Sequence, residues 1–71
     1  MKVRAKFVCS FVDPHNQTVY MNPVYSGSDE NKQFFAATPG GTITLNVLNE
    51  SALAAFQQGK EYYVDFTPAV E

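Results

Sequence analysis

Three of the five cations in this chain, Lys2, Arg4 and Lys6, recur at every second position near its start. On an extended strand alternate side chains leave the same face roughly 6.6 Å apart, close to the phosphate spacing of a stretched single strand. Tyr20 and Tyr63 fall at outward positions of two further strand-like stretches, with Asn22, Thr42 and Thr44 beside them in the same pattern. Rings on which bases stack, next to cations that track a phosphate backbone, are the minimal equipment for holding single-stranded nucleic acid or a nucleotide. Arg4, Lys6, Tyr20 and Tyr63 are therefore the candidate nucleic-acid-binding residues. Two other uses of the cations stand beside this one. They can pair across strands with Glu61 and Asp65, as antiparallel neighbours do, or contact another copy of the chain. A net charge of −2 argues against a general polyanion binder, although a ring of copies would concentrate a basic row by symmetry.

Catalysis finds less to work with. There is one histidine, His15, and one cysteine, Cys9. An internal disulfide and a closed zinc site built from Cys and His are both excluded. His15 lies in Asp13-Pro14-His15-Asn16-Gln17, which is turn chemistry, and reads as a solvated loop residue. No G-x-S-x-G elbow is present. Cys9 falls on an apolar strand face and reads as a small buried hydrophobe. Glu30, Glu50, Glu61 and Asp65 are spaced neither as a catalytic pair nor as a calcium loop, and read as solvated charges. Thr38-Pro39-Gly40-Gly41 is not followed by Gly-Lys-Ser/Thr and leads into a strand, so it is no phosphate loop. The expectation is a chain that is not an enzyme, with no catalytic residue, cofactor or metal.

The elements that would position these residues are legible from period and punctuation. Lys2 to Val12 alternates, with Val3, Ala5, Phe7, Cys9 and Phe11 on one face and Lys2, Arg4, Lys6, Val8, Ser10 and Val12 on the other. A strand of that length can bend and serve two half-sheets. Thr18 to Tyr25 is a second strand, in which Pro23 marks an edge, bulge or bend. Ser28 is placed to cap a helix over 29–37, which Thr38-Pro39-Gly40-Gly41 ends. Asn31, Phe34, Phe35 and Thr38 share the side of it that faces the sheet. Thr42 to Leu48 is a third strand, with Ile43, Leu45 and Val47 inward. Asn49 caps a second helix over 50–58, with Ala52, Leu53 and Phe56 as its buried stripe and Gly59 as its left-handed stop. The last strand sends Tyr62, Val64 and Phe66 inward and Glu61, Tyr63 and Asp65 outward, and Pro68 ends it. The order β-β-α-β-α-β with short connections predicts a mainly β fold, a small, strongly bent antiparallel barrel of the Sm, SH3 or OB kind. It has four to five strands and one or two short helices.

Size sets the second expectation. Seventy-one residues form one domain, 1–71. A chain this short buries only about 60% of the surface its unfolded form exposes, and ordering costs nearly cancel the gain. With disulfide and zinc excluded, tight packing or a partner subunit must supply the rest, and a homo-oligomer is expected. The composition, 45% hydrophobic, 14% aromatic and 17% charged, suits a small β-rich core. No apolar run approaches the ~20 residues of a membrane span, and Met1 to Lys6 does not lead into a signal-peptide core. The expectation is no membrane partner.

Pro23-Val24-Tyr25-Ser26-Gly27-Ser28-Asp29-Glu30-Asn31-Lys32 and Thr38-Pro39-Gly40-Gly41 are followed by the ending Gly59-Lys60-Glu61-Tyr62-Tyr63-Val64-Asp65-Phe66-Thr67-Pro68-Ala69. Together with Phe35, Asn49, Ala52 and Phe56, these stretches resemble a family of small uncharacterised phage proteins that share the ending GKEYYVDFTPA. The similarity spans nearly the whole chain and is structural in kind. A looser similarity, in size and strand order, is to Sm-like phage barrels that assemble into rings. The resemblance implies a homo-oligomer with possible nucleic-acid handling, acting in the cytoplasm of an infected host cell or in the virion. Two other roles stay open beside it: a virion structural, decoration or assembly protein, and a counter-defence protein that sequesters a host protein or signalling nucleotide.

Overall fold

The computed structural model describes residues 3–70. Four strands and two helices run in the order β1 (Val3–Asp13), β2 (Thr18–Pro23), α1 (Asp29–Ala37), β3 (Ile43–Asn46), α2 (Glu50–Ala54) and β4 (Glu61–Phe66). All pairings are antiparallel, in the order β3-β2-β1-β4. The long first strand serves both halves: its first part, Val3 to Val8, pairs with β4, and Phe7 to Asp13 pairs with β2. The result is a strongly curled half-barrel. Its two outermost strands, β3 and β4, are the open edges, where the sequence suggested a closed sheet.

The concave face carries the core. Ala5, Phe7, Cys9, Val19 and Met21 are buried, and Ile43, Val47, Leu53, Phe56, Tyr62 and Val64 pack against them. Cys9 has no solvent exposure, as its place on the apolar face implied. His15 is exposed in a turn held by Asp13, whose carboxylate accepts from the His15 and Asn16 backbone N–H groups and from Asn16 Nδ2.

Strict alternation fails at one place, with a consequence for half of β1. Cys9 lies opposite Met21, but Phe11 lies opposite Tyr20, so Ser10 is an extra, bulged residue. One inserted residue exchanges the two faces of the strand beyond it. Phe11, expected inward, is on the outer face and stacks on Tyr20 with ring centroids 6.1 Å apart. Val12, expected outward, packs against the core. The Ser10 hydroxyl donates to Tyr20 O and accepts from Asn22 Nδ2, which satisfies the bulge locally.

Other expectations are shortened. The regular part of β2 ends at Pro23, although the Val24 N–H still reaches Lys6 O at 3.1 Å. Helix α1 has its expected bounds, and Ser28 Oγ accepts from the Asn31 N–H. Helix α2 is capped by Asn49 as expected but ends at Ala54, four residues early. The Tyr62 hydroxyl takes the place of a further turn, accepting from the Gln57 N–H and donating to Ala55 O. Gly59 adopts φ +89 beyond a non-helical turn, and its N–H bonds to Cys9 O at 2.7 Å, leading the chain into β4. Leu45 and Phe66, both expected inward, are half exposed because they sit on the edge strands, where a single protomer offers no further cover.

Candidate functional site

Strand register places three of the four candidate residues together. Arg4 lies opposite Asp65 and Lys6 opposite Tyr63, all on the convex face of the sheet. Tyr20 shares that face but stands beside Phe11, five residues further along β1 than Lys6, a distance of roughly 16 Å. Lys2, the first member of the cationic row, lies outside the described residues. Asn22 and Thr44 flank Tyr20, as the strand pattern implied.

Both described cations of the row are matched by carboxylates. Arg4 Nε and one of its terminal nitrogens meet the two oxygens of Asp65 at 2.6 and 3.0 Å, a bidentate fork. The guanidinium also lies 4.6 Å from the centre of the Tyr63 ring. Asp65 raises the Arg4 pKa, first through the hydrogen bond and then through its charge. Lys6 Nζ lies 2.6 Å from Glu30 Oε2 and 3.4 Å from Glu61 Oε1, and its side chain keeps only 12% of its exposure. The cross-strand pairing with Glu61 and Asp65 that spacing allowed is thus present in the structure.

Period-two reasoning could not supply the second layer, which comes from α1. The Asp29–Ala37 helix lies across the convex face and brings Glu30 to both Lys6 and Tyr63. The Tyr63 hydroxyl is shared between the two Glu30 oxygens at 3.0 Å each. These contacts hold the Glu30 carboxyl below the usual range, the Lys6 hydrogen bond being the larger cause and the Tyr63 hydroxyl the next. The Glu30 hydrogen bond in turn raises the Lys6 ammonium against the opposing effect of its burial. The next residue, Asn31, is 2% exposed, and its Nδ2 donates to Glu61 Oε2 at 2.7 Å and Ser26 O at 2.8 Å. Among the described residues, Asn31 Oδ1 finds no hydrogen-bond donor. Phe34 completes the layer, its ring centre 6.2 Å from that of Tyr63. A Ser cap followed by Glu30 and Asn31 announced a helix start but not the strand face on which it would land.

Chemically this is a compact ionic network with an aromatic floor. Arg4, Lys6, Glu30, Glu61 and Asp65 together carry one more negative charge than positive. Among the described residues no group of three or more His, Cys, Asp or Glu side chains is arranged to hold a metal ion, and no helix is long and apolar enough to cross a membrane. A cleft of about 350 Å³ lies elsewhere, between the β1–β2 turn and α2. No family model, curated protein or solved structure matches the chain.

Proposed function

We propose that this chain is a phage-derived, non-enzymatic binding module that works as a homo-oligomer. The observation that carries the reading is how much surface one copy leaves uncovered. The protomer exposes 5347 Å², whereas a compact monomer of 7.9 kDa exposes roughly 4,400 Å². The surplus is similar to the ~800 Å² that each partner buries in a standard interface. The radius of gyration, 13.1 Å, exceeds the ~11 Å of a compact chain of this length, and the molecule is a slab 17 Å thick. Val3, Leu45, Leu48 and Phe66 are among the exposed large apolar residues, and both edge strands are open. Edges of that kind invite pairing with another chain. Light scattering tests the reading: a mass of two or more protomers supports it, and a 7.9 kDa particle at every concentration removes it.

A second reading concerns what such an oligomer holds. Single-stranded nucleic acid or a nucleotide remains the ligand of first choice, on Arg4, Lys6, Tyr20 and Tyr63. The half-exposed Arg4–Tyr63 pair favours it, since a guanidinium stacked on a ring is a ready neighbour for a base and its phosphate. Phosphate would have to displace Asp65 from Arg4, so affinity per protomer would be low and would depend on repetition around the oligomer. Binding of a labelled oligonucleotide should fall steeply with salt, because phosphate contacts release counterions. An absent or salt-independent shift removes this reading and leaves a virion decoration or assembly role, or capture of a host protein or signalling nucleotide. Sedimentation with purified particles separates the virion role from the others.

A further inference from the structure

The cleft between the β1–β2 turn and α2 has a mostly apolar lining with two polar side chains. Val12, Leu53 and Phe56 line it, with Gln17 and Glu50 at the polar positions. Its volume, about 350 Å³, is more than enough for an aromatic ring, since an apolar cavity of about 150 Å³ already admits benzene. Among the described residues the Glu50 carboxylate and the Gln17 side-chain amide make no hydrogen bond or ion pair, and no cation lines the cleft. The occupant it suits has a ring or aliphatic body and a cationic head.

The chain itself carries that combination on α1. Asn31 and Phe34 turn toward the sheet, which leaves Lys32 and Phe35 on the flank, three residues apart and so adjacent on the helix surface. Phe35 is 42% exposed beside the exposed Tyr25 ring, 6.3 Å away. The Lys32 side chain makes no ion pair among the described residues. Helix and cleft lie toward opposite ends of β1, near Lys6 and Val12, roughly 20 Å apart, so one copy cannot satisfy both.

We infer that the Lys32–Phe35 face of α1 docks into the cleft of a second copy, with Phe35 against Val12, Leu53 and Phe56 and Lys32 against Glu50. The contact joins unlike surfaces. It is reciprocated in a two-fold pair or repeated around a ring. The inference rests on the homo-oligomer reading and names the surfaces that reading leaves open.

A charge exchange tests it. Glu50→Lys and Lys32→Glu are both at exposed positions, so each variant should keep the wild-type circular dichroism spectrum. Each places like charges together across the contact, and sedimentation should show association weakened roughly tenfold or more. The double variant restores the opposite pair and should associate within about threefold of wild type. Single reversals that associate like wild type overturn the inference and leave the cleft to a small ligand or another protein, while the oligomer reading stands. A double variant as weak as the singles also overturns it. A wild-type chain that never associates overturns both.

Discussion

Lys6 on the first strand and Glu30 on the first helix meet at 2.6 Å on the convex face of the sheet. This contact joins the helix to strands that alternation alone had marked as solvated. With Tyr63 and Glu61 beside it, it makes the helix a second layer over β1 and β4.

The pH dependence of that layer follows from the direction of the two shifts. Glu30 is held below the ordinary carboxylate range in the folded chain. Its contribution is therefore present above that range and is lost as pH falls through the folded value. Lys6 is raised, so its contribution is complete below the ordinary lysine range and is lost only as pH rises through its own folded value. Acidification through and below the carboxylate range should free Tyr63 from the helix before the core melts. Tyrosine fluorescence should report this against far-ultraviolet circular dichroism, and Glu30→Gln should flatten the acid limb. An acid limb unchanged in Glu30→Gln would contradict the assignment.

Asn31 should matter more than its exposed neighbours on the helix. Asn31→Ala leaves Glu61 Oε2 and Ser26 O without their donor, at a cost of about 1–3 kcal/mol in urea unfolding. Gln33→Ala, on an exposed position, should change stability by less than about 0.5 kcal/mol.

The Ser10 bulge gives a test of register. Ser10→Ala removes only the local hydrogen bonds and should cost about 1 kcal/mol or less. Deleting Ser10 leaves Phe11 directly after Cys9, so regular alternation keeps Phe11 outward opposite Tyr20 and Val12 inward opposite Val19. The deletion should therefore keep the fold and destabilise by no more than about the substitution does, as read from the midpoint of thermal unfolding. A deletion that destabilises by several times as much would mean that Ser10 is not the extra residue that sets the faces of Phe11 and Val12.

Cys9 is fully enclosed, so a bulky thiol reagent should label it only when the fold opens. Labelling should be slow in buffer and immediate in denaturant. Met21→Ala, which empties a neighbouring core position, should cost about 2–5 kcal/mol and accelerate the labelling. Rapid labelling of the native chain would contradict the packing of β1 against β2.

Much of the frame was legible because local chemistry wrote it. Ser28 and Asn49 cap where their side chains suggested, Asp13 folds the first turn, and Arg4 finds Asp65 by simple cross-strand opposition. What was not legible depended on contacts distant in sequence. The bulge at Ser10 is set by how β1 turns between two partner strands, so neither Phe11 nor Val12 announces it. The early end of α2 depends on a hydroxyl at Tyr62, beyond the intervening turn. The candidate binding row was visible as a row, but its neutralisation by Glu30 needed the helix to cross the sheet, which no spacing encodes.

The central claim is that one copy leaves a working surface that another copy must cover. Sedimentation equilibrium of the full chain across a wide concentration range tests it most directly. The account predicts a mass that is a whole multiple of 7.9 kDa and falls toward the protomer only on dilution. A stable, folded 7.9 kDa species at every concentration would contradict it.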